Sequence, residues 1–465
     1  MPSRILVALI AATVIQAAGP RAVAAETTDT WRVPSFGHVT VYHGAALPQR
    51  VVLFVSGDGG WNQGVVDMAH RLRDAGALVI GIDVRSFMKA LEASESCAYP
   101  AGPLEELSRA VQVREKLPSY QRPILVGYSS GATLVYATLA AAPVETFAGA
   151  ISLGFCPDLE IRKPLCQTRG LVATRRRKGA GYDLRPFAGS TVPWMVLHGE
   201  IDQECPPAGA REFVAQTGSA RLFPLPKVGH GFGVPARWAP QLLEAFRAIG
   251  EANVKPAAPH ASPAAVADLA LVEVPARADS HRDDFAVVIS GDGGWAELDK
   301  AMANGLATAG VPVVGWSSLE YYWTPRTPDV AAADLARIIE HYSRAWQRTR
   351  VRIIGYSFGA DVAPFLVNRL PDDVKSRVAK VTLLSPSPSA AFEFYVSDWV
   401  RDRSDTRYPT VPEIDRLSGQ VACVSASNET DSVCHTIRAR DRAETVGRGH
   451  HFSRDYARLV QLALQ

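Results

Sequence analysis

The 465-residue chain has almost no excess of charge of either sign: 49 Lys and Arg face 47 Asp and Glu, a formal net charge of +2. Beyond the short run Arg175–Lys178 it has no dense basic block, so its electrostatics give no reason to expect a nucleic-acid partner. Long hydrophobic runs are also missing. An apolar stretch from Ile5 to Ala18 falls short of the roughly 20 residues that span a bilayer, and no later stretch is long and apolar enough to be a transmembrane helix. Cysteines number only six, with no C-x-x-C or Cys/His cluster of metal-ligand spacing, so neither a metal nor another cofactor is expected. The 47% hydrophobic and 8% aromatic content is that of a folded globular protein and excludes disordered, collagenous and coiled-coil chains.

What the chain does have begins at its start. Arg4 precedes the apolar stretch, and small residues ending in Ala22-Val23-Ala24-Ala25 come after it, the layout of a secretory signal cleaved near Ala24 or Ala25. A signal peptide is therefore expected over 1–25, with the mature protein in an exported compartment that permits disulfides. Cys423 and Cys434 stand alone in the second half and are expected to pair. Cys97, Cys156, Cys166 and Cys205 in the first half allow three pairings that sequence does not separate.

The same unit occurs twice. Phe54-Val-Ser-Gly-Asp-Gly-Gly-Trp61 recurs as Val288-Ile-Ser-Gly-Asp-Gly-Gly-Trp295, Leu125-Val-Gly-Tyr-Ser-Ser-Gly-Ala132 as Ile353-Ile-Gly-Tyr-Ser-Phe-Gly-Ala360, and Val228-Gly-His-Gly-Phe232 as Arg448-Gly-His-His-Phe452. Three blocks in one order at slowly drifting offsets mean a duplicated domain with loop insertions. A Pro- and Ala-rich stretch, Val254 to Ala265, separates the copies. The expected organisation is an N-terminal domain over 26–250, a linker over 251–268 and a C-terminal domain over 269–465.

Within each copy, short apolar runs such as Val51–Val55 and Phe285–Ile289 alternate with longer stretches of helical spacing, Val65–Ala75, Leu104–Leu117 and Val330–Gln347 among them. Further strands are expected at Leu78–Val84 and Pro123–Gly127. Such alternation predicts two tandem α/β domains, each a mostly parallel sheet with helices on both faces, and the order serine, acid, histidine in the motifs that follow makes them α/β-hydrolase domains.

The chemistry rests on three motifs. Gly127-Tyr128-Ser129-Ser130-Gly131 and Gly355-Tyr356-Ser357-Phe358-Gly359 each stand between a β run and a helical one, the setting of a nucleophile elbow. A serine hydroxyl needs a base oriented by a carboxylate, and repeat alignment selects His230 and His450 as the bases. A gapless alignment of His198–Cys205 on Ser427–Cys434 makes two acids coincide, Glu200 with Glu429 and Asp202 with Asp431. Asp202 and Asp431 are preferred because they lie further into the post-strand loop, with Glu429 as the alternative. Backbone N–H groups for an oxyanion are expected from Gly57-Asp58-Gly59 and Gly291-Asp292-Gly293. These loops lack the Lys-Ser/Thr ending of a phosphate-binding loop.

The second copy resembles the VirJ/AcvB family of bacterial virulence proteins. The resemblance rests on Ser290–Trp295, Tyr321-Tyr-Trp-Thr-Pro-Arg-Thr-Pro328, Gly355–Asp361, Leu384–Pro388 with Phe392–Trp399, and Gly449–Phe452; the first copy matches more loosely and lacks the aromatic segments. It implies a periplasmic esterase that removes the amino acid from aminoacylated phosphatidylglycerol, lysyl-phosphatidylglycerol above all, working at a membrane surface and compatible with a secretion-system partner. In that scheme Ser357, His450 and Asp431 form the principal site and Ser129, Asp202 and His230 a second one. Trp295, Trp323, Phe358, Phe392, Phe394 and Trp399 either line the mouth or belong to ordinary core.

Overall fold

The structure, a computed structural model, describes residues 27–44, 46–94, 97–168, 170–177, 179–252, 265–277, 282–393, 408–437 and 443–465. The expected signal peptide, most of the expected linker, Phe394 and Trp399 lie outside the described residues. The N-terminal sheet comprises β1 (Thr27–Val33), β2 (Gly37–His43), β3 (Arg50–Val55), β4 (Ala77–Ile82), β5 (Ile124–Tyr128), β6 (Gly149–Leu153), β7 (Trp194–Gly199) and β8 (Ala220–Leu225). Their spatial order is β1-β2-β4-β3-β5-β6-β7-β8. β1 pairs antiparallel with β2 and β2 antiparallel with β4, whereas β3 to β8 run parallel to one another.

The C-terminal sheet repeats this plan with β9 (Leu271–Val274), β10 (Asp284–Ile289), β11 (Val313–Trp316), β12 (Arg350–Tyr356), β13 (Val378–Leu384), β14 (Gln420–Ser425) and β15 (Ala443–Thr445). The order is β9-β11-β10-β12-β13-β14-β15, with β9 antiparallel and the remainder parallel. This crossover arrangement, an antiparallel edge leading into a parallel sheet, is that of an α/β-hydrolase.

Consecutive apolar residues become central strands because both faces of the sheet are covered. Val51, Leu53 and Val55 pack beneath the helices Ala101–Arg114 and Ser130–Ala141. Val52 and Phe54 pack on the opposite face with Val65, Met68 and Leu72 of the helix Gln63–Asp74 and with Leu242 and Phe246 near the C-terminal end of the domain. In the second domain Phe285, Val287 and Ile289 meet Leu335, Ile338 and Ile339 on one side, while Ala286 and Val288 meet Leu298, Met302 and Leu459 on the other.

Two boundaries differ from the sequence reading. The strand expected to run to Val84 ends at Ile82, because the Asp83 carboxylate accepts the Arg85 N–H (2.9 Å) and starts the helix Val84–Ala93. Val266 and Leu269 are buried in the C-terminal core, so that core reaches back into the stretch read as linker. The cysteines form Cys97–Cys166, Cys156–Cys205 and Cys423–Cys434.

Candidate active site

Ser129 and Ser357 stand at the sharp turns after β5 and β12, with φ of 55° and 51°. Non-glycine residues rarely adopt this conformation, which costs on the order of 1–3 kcal/mol, and the surroundings must enforce it. They do so through space. A Cβ at Gly127 would collide with the backbone of Gly131, one at Gly131 with the carbonyls of Val55 and Ser56, and Gly355 and Gly359 are confined in the same way. The Ser129 N–H donates to Leu153 O (2.9 Å) and the Ser357 N–H to Leu384 O (2.8 Å), fixing each elbow to the neighbouring strand.

In the first domain Ser129 Oγ lies 2.9 Å from His230 Nε2, and His230 Nδ1 lies 2.8 Å from Asp202 Oδ2. Asp202 is buried, and its Oδ1 accepts the Glu204 and Cys205 N–H groups at 3.0 and 2.9 Å. In the second domain Ser357 Oγ lies 2.8 Å from His450 Nε2. The partner of His450 Nδ1 is Glu429 Oε1 at 2.7 Å.

The preference for Asp431 is therefore corrected. Asp431 is exposed in the same loop, while Glu429 Oε2 accepts the Ala426 N–H (2.9 Å) and the Ser385 hydroxyl (2.6 Å). The reason is strand register. Gly154 N–H donates to Leu197 O, and Ser385 N–H donates to Val424 O, so Leu197 corresponds to Val424. Counting onward, Asp202 falls on Glu429. The same correspondence makes the turn bonds Asp202 N–H to Gly199 O and Glu429 N–H to Ala426 O equivalent. A gapless alignment on Cys205 and Cys434 slips by two residues, because the second domain has two extra residues between acid and cysteine.

Burial alone would push the Glu429 carboxyl up. Donation from the Ala426 N–H and the Ser385 hydroxyl, together with His450, outweighs it and holds the group below its ordinary value. The two sites differ in access: the His230 side chain is 19% exposed and that of His450 50%.

The glycine loops follow β3 and β10 as expected. Gly57 and Gly291 are buried against the nucleophiles, and Cβ atoms built on them would lie 3.0 Å from Ser129 Cβ and 3.6 Å from Ser357 Cβ. Asp58, Gly59, Asp292 and Gly293 form the exposed tips. The loops are tight turns, Gly60 N–H to Gly57 O (2.8 Å) and Gly294 N–H to Gly291 O (3.1 Å), each needing a positive φ of 74° at Gly60 and Gly294. Ser56 and Ser290 hold these turns from behind, their hydroxyls accepting the Val84 and Ser318 N–H groups.

The aromatic residues divide. Phe358, next to Ser357, packs against buried Tyr322 (ring centroids 5.1 Å), and buried Phe392 joins that cluster through Tyr322 (5.9 Å) and Phe365 (5.6 Å). Trp295 packs over β11, where a Cβ at Gly315 would collide with its ring. Trp323 donates its Nε1 to Leu117 O of the N-terminal domain (2.8 Å). Trp295 and Trp323 are thus packing residues and not mouth residues.

Sequence reasoning missed Tyr128 and Tyr356, whose hydroxyls donate to His230 O (2.9 Å) and His450 O (3.1 Å) and tie the histidine loops to the elbows. Their place in both G-Y-S motifs was the available signal. It also missed Ser385, whose role depends on β13 bringing it to Glu429.

Two α/β-hydrolase domains, each holding a serine, a histidine and a carboxylate in hydrogen-bonded series, define the class of the molecule. The sequence profile of the bacterial virulence protein (VirJ) family matches residues 49–150 and 283–465, more than half of the chain, and the protein belongs to that family. No curated protein matches it. Among solved structures, Est1E from Butyrivibrio proteoclasticus is 13% identical, covering 48% of this chain and 99% of its own, with a TM-score of 0.33. A lid-less α/β serine hydrolase from Xanthomonas campestris is 20% identical over 49% and 94%, at a TM-score of 0.32. Thermogutta terrifontis esterase 2, phosphorylated by paraoxon, is 18% identical over 51% and 98%, at a TM-score of 0.33.

Proposed function

We propose that the protein is an exported serine esterase whose C-terminal site hydrolyses the aminoacyl ester of aminoacylated phosphatidylglycerol, lysyl-phosphatidylglycerol in particular, at the periplasmic membrane surface. The observation that carries the esterase reading is the Ser357–His450–Glu429 series, repeated as Ser129–His230–Asp202. A scaffold has no physical need for this order of groups at strained elbows in both halves.

In the proposed reaction His450 Nε2 takes the Ser357 proton as Oγ attacks the ester carbonyl. The Gly291 and Phe358 backbone N–H groups receive the oxyanion, and Glu429 steadies the imidazolium. The phosphatidylglycerol alcohol leaves with the proton, and water, activated by His450, then releases the amino acid from the acyl-serine.

The substrate is drawn from the family resemblance and supported by local charge. The Glu429 carboxylate against His450 and the exposed Asp292 and Asp431 in the flanking loops suit an ester carrying ammonium groups. The N-terminal series is read as a second esterase site that assists binding or acts on another ester.

A fluorophosphonate probe tests the esterase reading: adducts on Ser357 and Ser129 in the folded protein are expected, and unlabelled serines would favour a binding role. Comparing lipid extracts incubated with and without the protein tests the substrate, with loss of aminoacylated lipid as the expected result.

A further inference from the structure

The two glycine loops are braced differently. In the N-terminal domain the brace is local: a Cβ at Gly60 would collide with the Arg85 guanidinium and lie 2.8 Å from Asp83 Oδ2, and Arg85 and Asp83 form an ion pair at 2.6 Å. In the C-terminal domain the corresponding neighbours of Gly294 are Leu319 and Ser317, which supply no charged pair. The charged contact there comes from the other domain. Arg109, on the helix Ala101–Arg114, places Nη1 3.3 Å from Asp292 Oδ2 and pairs through Nη2 with Glu105.

We infer that Arg109 of the N-terminal domain is a positioning residue for the C-terminal active site, holding the loop Ser290–Gly294 so that its backbone N–H groups face the carbonyl attacked by Ser357. This rests on the reading of Ser357 as the nucleophile. Asp292 directly follows Gly291, which packs against that serine, so a force on its carboxylate acts one residue from the oxyanion donors. The Arg109 side chain is 15% exposed and Asp292 61%, so the anchor is fixed and the loop tip is the part that would otherwise move.

The anchor is rigid for identifiable reasons. A guanidinium withdrawn from water must be paired, and Glu105 one turn earlier pairs it from within the same helix. Beside it, Trp323 donates to Leu117 O (2.8 Å) and packs on Tyr120 with ring centroids 5.4 Å apart. Lys300 meets Glu145 across the same junction at 2.9 Å. The segment Tyr321–Pro328, absent from the first copy, thus provides a docking point for the domain that carries Arg109. A positioned oxyanion donor is worth on the order of 10²–10³ in rate, and a displaced one loses part of that.

The test is the rate of fluorophosphonate labelling at Ser357 and, in the same sample, at Ser129, read by peptide mass spectrometry on the full chain. Arg109→Met is expected to slow Ser357 labelling about tenfold while leaving Ser129 unchanged, and Arg109→Lys to recover part of the loss. Asp292→Asn, at a position 61% exposed, is expected to give a similar loss. The double variant is expected to be no slower than the slower single, since the two side chains act through each other. Wild-type labelling of Ser357 in Arg109→Met, or losses that multiply in the double variant, would overturn the brace and leave the esterase reading standing. A Ser357 unreactive in the unaltered protein would overturn both.

Discussion

Glu429 Oε1 stands 2.7 Å from His450 Nδ1, although the sequence of the loop points first to Asp431 two residues on. The carboxylate that orients the histidine is set by where β14 places the start of the loop, and the side chain one methylene longer than aspartate reaches the ring from there. Glu429→Gln is expected to lower ester turnover at the C-terminal site by on the order of 10⁴, the loss seen when the orienting acid of such a series is neutralised. Asp431→Asn is expected to change it less than about threefold. Kinetics in a Ser129→Ala background, which silences the first site, distinguish the two.

The elbow glycines are required for room. A Cβ at Gly359 would collide with Ile289 O, and one at Gly131 with Val55 O. Gly359→Ala is expected to destabilise the C-terminal domain by about 1–3 kcal/mol or more, as overpacking against backbone does, and to abolish Ser357 labelling. Denaturant unfolding, with the N-terminal domain as internal reference, measures it.

The central parallel strands were legible in the sequence because burial on both faces leaves uninterrupted apolar runs, as at Val51–Val55. The edge strands β8 and β15 and the antiparallel strands β1, β2 and β9 were not, since their incomplete burial leaves no uninterrupted apolar run. Ser129, Ser357, His230 and His450 could be picked out because the repeat marks them twice. Glu429 was obscured because Cys434 resembles an alignment anchor, yet Cys434 bonds to Cys423 whereas Cys205 bonds to Cys156. The place of Trp323 and Arg109 depends on how the two domains meet, which no local pattern encodes.

Asp361 gives a pH signature. It occupies the helical position of Thr133, whose hydroxyl donates to Cys156 O (2.7 Å), and instead accepts the Ser387 N–H (2.5 Å). Burial, reinforced by Asp292 and Asp431, pushes it up to about 8, above its value of about 4 in an unfolded chain. The folded state then holds more protons than the unfolded state between about pH 4 and pH 8, so this group's contribution makes stability fall as pH rises through that window. Asp361→Asn is expected to flatten that part of the fall in a series of melting curves from pH 5 to pH 8.

The Cys156–Cys205 bridge, closing a separation of 49 residues, ties the loop after β6 to the loop that carries Asp202. Replacing both cysteines by serine is expected to cost the N-terminal domain about 2–4 kcal/mol and to leave labelling of Ser357 intact. Thermal unfolding of the oxidised protein and its variant checks this.

The most direct measurement of the central claim is release of lysine from vesicles containing lysyl-phosphatidylglycerol, monitored with the unaltered protein and with Ser357→Ala. The account predicts that free lysine and phosphatidylglycerol accumulate together, and that the variant loses this turnover by about 10³-fold or more. Equal release by both proteins, or none by either while Ser357 accepts a fluorophosphonate, would contradict it.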